Sequence, residues 1–544
     1  MRVLLVHANP YQQIFPVPAY GLERISTAVA ERDDVTVELI DPFLESTEPI
    51  GYTAEAVRRI QPDLIGFGIR ITEDLIPVAD VDGAGPHDVV WLLPDIARVV
   101  QAAVEAAPQA VAVCGGAGFS AMPYECLDYL GIDLGVVGAG EQTFARLVDR
   151  LAAGQDPGVI PGLIRRDDPG PRIPGRAYQM GRGGPTRRDG RYAPCHDFPI
   201  RTRIGCAMVC SYCVIASLER AHQPAEVDVV LDEVAAAVAA TKSRGIGPTP
   251  LFFSDDEFNL PDEAHAIAIL EGIVARGLAS HLIWNGYFHP QPFSDELARL
   301  VKATNGRPQI TADSAADAVL ARNHKPHRRK TLDAVVDTLA RNHLDAEIVF
   351  MFGLPGETHE TVAETVEFIK ALPAGIRASW AAGARVFPHT PLAGLADEHP
   401  EYVVGEADPT RFRPTVYSSP VPPRELARNV TAALEGQRHV QRYGAPFGER
   451  VSAAVEAYRL VADGADRPTW AALLTKAQEP HGILEPSDQL QAVQYVAAWQ
   501  RRFDLASLAC KAAARHAPRG RRARLRAQGL VYTALDKLPA GAGD

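Results

Sequence analysis

Along the first 150 residues the apolar positions follow two alternating patterns. Short β-branched runs at 3–6, 35–40, 64–69, 111–114 and 134–137 predict buried strands. Between them, 21–32, 94–107 and 142–153 keep helical apolar spacing. Such alternation predicts an α/β domain with a doubly wound, Rossmann-like parallel sheet. Ligands of these sheets sit beyond the carboxyl ends of the strands, which nominates the loops 7–20, 70–82, 115–124 and 138–143.

The pattern then changes. Residues 154–198 are rich in Gly, Pro and Arg and predict an irregular linker. A second strand–helix series runs over 199–395. Strands are expected at 251–254, 281–287, 309–312, 346–352 and 377–386, with helices at 227–241, 262–276 and 331–341. Repeated units of this kind predict a full or partial α/β barrel with its chemistry at the strand carboxyl ends. From 396 to 544 the strand pattern fades. Helical stretches at 424–437, 450–462 and 490–517 predict a mainly helical C-terminal domain, placed where it can cap a substrate.

Composition narrows the class. The chain has 544 residues, too many for one core. With 55 basic and 67 acidic residues the net charge is −12, which argues against a nucleic-acid partner. No apolar run approaches the ~20 residues of a membrane span, and the apolar start is too short for a signal peptide, so a cytoplasmic enzyme is expected. Seven cysteines, three of them clustered, do not make a disulfide framework; they suit a reducing compartment and a metal. Arg515, Arg519, Arg521, Arg522, Arg524 and Arg526 make a basic stretch. It reads as a solvated helix face or as a dock for an anionic substrate or carrier.

The chemistry concentrates at Cys206, Cys210 and Cys213, spaced C-x3-C-x2-C. Three thiolates on one short loop can hold three irons of a [4Fe–4S] cube and leave the fourth open. The spacing alone also admits zinc completed by His196 or His222. Tyr212 between the last two cysteines, and the strand-like approach 199–204, resemble the radical S-adenosylmethionine (SAM) superfamily. That resemblance implies that SAM binds the open iron, and Arg203 suits a site with an anionic cluster.

Later segments extend the likeness. The run 252–259 carries carboxylates where the family binds the SAM amino group, so Asp255 or Asp256 is expected to meet that ammonium. Asp313 and Ser314 fall where the family contacts the SAM ribose. Gly353 and Gly356, in Gly353-Leu354-Pro355-Gly356-Glu357-Thr358, resemble the family's adenine-side motif. The same likeness assigns Tyr212 to the SAM site. Tyr287, His289 and Arg385 lie at or near strand ends and are candidate substrate contacts.

A doubly wound domain ahead of such a barrel resembles the cobalamin-dependent (class B) branch, carried by the runs 114–118 and 135–144. The resemblance implies cobalamin held by Gly115, Gly116, Gly138, Gly140 and Glu141. The loop after the first strand lacks the Asp-x-His-x-x-Gly of many B12 proteins, so His7 is expected to pack rather than ligate cobalt. Arg70 is the candidate for the lower face of the corrin.

The implied cofactors are a [4Fe–4S] cluster, SAM and cobalamin as methylcobalamin. The implied activity is methyl transfer to an unactivated carbon, or phosphorus, of a small molecule, possibly carrier-bound, on a natural-product pathway. An external one-electron donor of flavodoxin or ferredoxin type is implied. Polar methyl transfer, ring contraction, cyclisation or another rearrangement stay open as alternatives, and a non-catalytic cobalamin or electron-transfer protein is the reading from another class.

Overall fold

Six strands build the first sheet in the order β2-β1-β3-β4-β5-β6. They are β1 (Arg2–His7), β2 (Thr36–Ile40), β3 (Leu64–Gly68), β4 (Val111–Gly115), β5 (Leu134–Val136) and β6 (Leu163–Arg165). The computed structural model describes residues 1–10, 18–30, 32–73, 91–168, 197–215, 223–405, 408, 410–442, 453–462, 464, 466–479 and 486–537. Helices cover both faces of this sheet. That is why β1 reads as an unbroken apolar run, with Leu4, Leu5 and Val6 all fully buried. Each such side chain contributes about 1.5–3 kcal/mol of burial. The order reverses between β1 and β3, which makes their carboxyl ends the expected ligand crevice.

Seven parallel strands form the second sheet in the order β18-β14-β13-β12-β11-β10-β7. They are β7 (Phe198–Ile200), β10 (Thr249–Phe253), β11 (Leu282–Phe288), β12 (Gly306–Asp313), β13 (Ala346–Phe352), β14 (Ile376–Ala382) and β18 (Val440–Arg442). β7 and β18 are its edges, so it is an open, partial barrel. In β11, Leu282, Trp284 and Phe288 are buried while Ile283, Asn285 and Tyr287 are more open. Period-2 alternation therefore puts Tyr287 on the more open of the sheet's two faces. A short ribbon, β8 (Arg203–Ile204) with β9 (Gln223–Pro224), leads into the cysteine loop.

Several elements escaped the sequence reading. β6 lies inside the expected linker but joins the first sheet as its antiparallel edge. The helix Pro49–Ile60 was also missed. The expected strand 377–386 ends at Ala382; β15 (Ala384–Arg385) then turns away to pair with β17 (Thr415–Tyr417), which also pairs with β16 (Val403–Gly405). The region expected to be helical thus supplies β16, β17 and the barrel edge β18. Runs of two or three residues are too short to show a period. The expected helix 490–517 is two helices, Pro486–Trp499 and Phe503–His516, parted where Arg501 takes a left-handed φ of 57°.

The C-terminal helices buttress the barrel from the side and below. Trp499 meets Phe198 of β7 at 5.6 Å, and Gln528 donates to the carbonyl of Gly245 in the turn that feeds β10. The helix Arg519–Leu535, which carries most of the basic stretch, is therefore seated at the amino end of β10, opposite the cysteines. The cysteine loop instead meets the helix Pro391–Glu398: Leu392 N donates to Ser211 O at 2.9 Å, and Tyr212 packs with Leu392 and Ala396.

Candidate active site

The cysteine loop is shaped by its neighbours. Gly205, with φ +83°, turns the chain out of β8 just before Cys206. Asp255 accepts from Thr202 N at 2.9 Å, Thr202 Oγ1 at 2.7 Å and Arg203 N at 3.0 Å, which pins the strand leading to Cys206. Cys213 N donates to Cys210 O at 3.2 Å. Ser211 Oγ donates to Asn323 Oδ1 at 2.7 Å and Ser211 N to Asn323 O at 3.3 Å. Burial pushes the Cys206 and Cys210 thiols up to about 12, so a bound cation is what would make them thiolates. Among the described residues no His, Cys, Asp or Glu trio gathers as a single ion requires. A cube needs no such convergence, because each thiolate meets its own iron. His196 and His222 lie outside the described residues.

Charge is concentrated around the loop. Tyr212 Oη donates to Asp313, and Lys325 Nζ lies 3.1 Å from Asp313 Oδ2. Asp313 has φ +61° where β12 shifts register against β13. Glu257 accepts from Thr311 Oγ1 at 2.5 Å; its Oε2 is buried with no partner among the described residues. Burial pushes Glu257 up to about 8 against the pull of Lys325 and Thr311. Asp256 is exposed, next to the buried Asp255. Arg203 Nη2 donates to Phe258 O at 2.8 Å and contacts His265 Nδ1 at 3.2 Å, with its charge in reach of Cys206.

Several expected contacts have other work. Asp255 is a clasp on the strand before Cys206, with hydrogen bonds from Thr202 and Arg203 on its two oxygens. Ser314 is fully buried, and its hydroxyl is bonded to Thr365 Oγ1 and Ala316 N. His289 is 1% exposed: its Nε2 meets His327 Nδ1 at 3.1 Å and its backbone N donates to Asn259. Arg385 donates to Glu73, to Val386 O and to the carbonyls of Arg411 and Phe412, so its guanidinium is occupied. Gly353 packs against Ser418 and Gly383, and Gly356 against Arg322, so chain packing already calls for both. Tyr287 keeps its place on the more open sheet face, edge-on to Phe252 at 5.6 Å.

On the first sheet, His7 Nδ1 meets Asp41 Oδ2 at 2.8 Å, both buried, which fits packing rather than ligation. Asn9 bridges the end of β3, accepting from Arg70 N and donating to Ile71 O at 2.7 Å. Arg70 thus stands at the β1/β3 crevice. A Cβ on Gly116 would lie 2.4 Å from Ile69 O, so this glycine lets the next helix close on β3 rather than making room for a ligand. Gly115 would similarly meet Val136 O, at 3.3 Å. Gly138, with φ +76°, donates its N–H to Ser120 Oγ at 2.9 Å.

The carboxyl ends of the two sheets face each other. Glu141, just past β5, accepts from Arg24 Nε at 3.3 Å and from Arg201 Nη2 at 2.5 Å, and Arg201 follows β7. Arg201 N donates to Tyr20 Oη at 3.1 Å, and Arg24 Nη1 lies 3.6 Å from Glu233. Burial opposes the Glu141 charge, but Arg201 and Arg24 outweigh it and hold the carboxyl below its ordinary value. Glu141 is therefore an ionic clasp between sheets through Oε1, while its buried Oε2 has no hydrogen-bond partner among the described residues. Arg385, beyond β14, and Glu73, beyond β3, form a second clasp at 2.7 Å.

The model of the radical SAM superfamily matches residues 201–369, and that of the B12 binding domain matches 15–148. The chain thus carries a radical SAM domain preceded by a B12 binding domain. It is 26% identical over 462 residues to the tryptophan 2-C-methyltransferase of Streptomyces laurentii, covering 72% of this chain and 74% of that protein. Among solved structures, it shares the fold of the radical SAM methyltransferase TsrM from Kitasatospora setae, solved with cobalamin and a [4Fe–4S] cluster, at TM-score 0.70 and 21% identity, covering 94% and 99% of the two chains. The cobalamin-dependent SAM radical enzyme OxsB, solved with aqua-cobalamin and SAM, aligns at TM-score 0.63 and 15% identity over 98% of this chain and 83% of that one. Two site residues, Glu257 and Lys325, were missed from sequence. The acidic run 255–257 was a visible signal for the first; nothing local marks the second.

Proposed function

We propose that this radical SAM enzyme is a methyltransferase, moving a methyl group from SAM through cobalamin to an unactivated carbon or phosphorus of a small-molecule substrate. The observation that carries the reading is the opposition of two crevices. Cys206, Cys210 and Cys213 lie at one set of strand carboxyl ends, and Arg70 and Gly138 lie at the other. The likeness to a tryptophan methyltransferase supports the reaction class and a small-molecule substrate.

The residues fit the groups. Three thiols from one loop suit a cube, and His7 is held by Asp41 rather than offered to the corrin. Bound there, the cluster would supply an electron to SAM and cobalamin would carry the methyl group. Glu257, with its uncommitted Oε2, and Asp256 are the carboxylates for the SAM ammonium. Asp313 keeps Oδ1 for a ribose hydroxyl, while Tyr212 and Lys325 hold Oδ2. Gly353 and Gly356 border the adenine side. Arg70, Gly138 and Gly140 line the corrin side. Tyr287, beside Phe252, faces substrate. The two ionic clasps hold the crevices in register and exclude water between them. The electron comes from a flavodoxin- or ferredoxin-type donor. No described helix is long and apolar enough to cross a membrane.

Anaerobic reconstitution with iron, sulfide and cobalamin, followed by desalting, tests this. About four irons and one corrin should stay with each chain, and Cys210→Ala should lose iron while keeping corrin. Retention of full iron by Cys210→Ala, or of no corrin by the native chain, contradicts the reading.

A further inference from the structure

Lysine is costly to bury, and Lys325 is 3% exposed. Its position is built by the same segment that fixes the cysteine loop. After the helix Asp317–Arg322, Asn323 takes two hydrogen bonds from Ser211 and donates to Val319 O at 2.8 Å and Pro355 O at 2.9 Å. Two residues on, Lys325 N is tied to Leu320 O at 2.9 Å. Its ammonium lies 3.1 Å from Asp313 Oδ2, the atom that also receives the Tyr212 hydroxyl. Tyr212 stands between Cys210 and Cys213. An ammonium, a carboxylate and a phenol thus form a chain that ends inside the cysteine loop.

Pairing with Asp313 does not by itself call for a lysine, since an apolar pair of similar volume is often as stable. The surroundings hold more negative charge than one carboxylate. Glu257 and Cys210 are both in electrostatic reach of Lys325; burial opposes its charge, but Asp313, Cys210 and Glu257 outweigh it. Arg203, the cation in reach of Cys206, is tied to Phe258 O and His265. Resting on the cluster reading above, three thiolates would give an oxidised cube a net charge of −1. One electron from a flavodoxin- or ferredoxin-type donor would take that to −2, with no proton or bond exchanged. A fixed positive charge nearby favours the more negative state.

We infer that Lys325 is the counter-charge of the cysteine loop and sets how readily the cluster there accepts its electron. It acts by its fixed positive charge, which the Asp313 carboxylate partly offsets, and touches no substrate.

The test uses the full-length chain, reconstituted anaerobically with iron and sulfide alone. The reduced-cluster signal is followed by electron paramagnetic resonance during titration with titanium(III) citrate. Lys325→Met should shift the reduction equilibrium at least tenfold toward the oxidised form, about 59 mV for one electron. Lys325→Arg should stay within threefold of the native chain. Asp313→Asn should shift the midpoint the opposite way, because it removes an anion and frees the ammonium. A structural role alone would move both neutral variants in the same direction or neither, and that result overturns the inference. If Lys325→Met does not retain iron, Asp313→Asn decides: a positive shift supports the inference, and none or a negative one overturns it. Absence of the signal in the native chain would defeat the cluster reading itself, a separate outcome.

Discussion

Arg385 donates to Glu73 at 2.7 Å across 312 positions of sequence, and the two side chains are 3% and 0% exposed. This pair joins the loop after β3 to the strand after β14. Removing one partner leaves a buried charge, which costs about 3–5 kcal/mol. Arg385→Met should therefore destabilise strongly, and Arg385→Met with Glu73→Leu should recover much of the loss. Urea unfolding of the double-mutant cycle checks this; a coupling below about 0.5 kcal/mol would show that the pair does not hold the sheets together.

Asp255 acts on the cysteine loop through the backbone of Thr202 and Arg203. Asp255→Asn should lower iron retention after reconstitution at least twofold. Ser314→Ala, by contrast, should leave the affinity for SAM unchanged and cost about 1 kcal/mol of stability through its lost bonds to Thr365 and Ala316. A SAM-binding defect in Ser314→Ala would return that hydroxyl to the ribose site.

Glu357 is buried, accepts from Gly353 N, and has an Oε1 without a partner among the described residues. Burial raises its carboxyl from 4.5 to about 8. Between those values the folded chain holds a proton that the unfolded chain releases. Stability from this group is therefore full below pH 4.5 and lost as pH rises toward about 8. Glu357→Gln should lose less stability than the native chain between pH 5 and 8.5, by a few degrees in Tm. Parallel Tm-against-pH curves for the two proteins would contradict the assignment.

Both sheets were legible because their longer strands read as near-continuous apolar runs, as in β1 and β13. β15, β16 and β18 were not, since two or three residues carry no period. The cysteines were legible as a cluster loop from their spacing. The acidic run 255–257 was visible as a set, but its division of labour was not. Asp255 turns back to Thr202, Asp256 is exposed and Glu257 meets Thr311, a split decided by strand-end geometry. The pairings Lys325–Asp313, Arg201–Glu141 and Arg385–Glu73 join residues far apart in the chain and leave no local mark. The clasps that Arg385 and Glu141 form were therefore not visible in the sequence.

The proposed function requires a methyl group to cross from SAM to cobalamin between the two facing crevices. Methyl-labelled SAM, added to the reconstituted, cobalamin-loaded chain under a one-electron reductant without substrate, tests it most directly. Label should appear in the protein-bound corrin together with an equal amount of S-adenosylhomocysteine. SAM consumed, or left intact, with no label in the corrin would contradict the account.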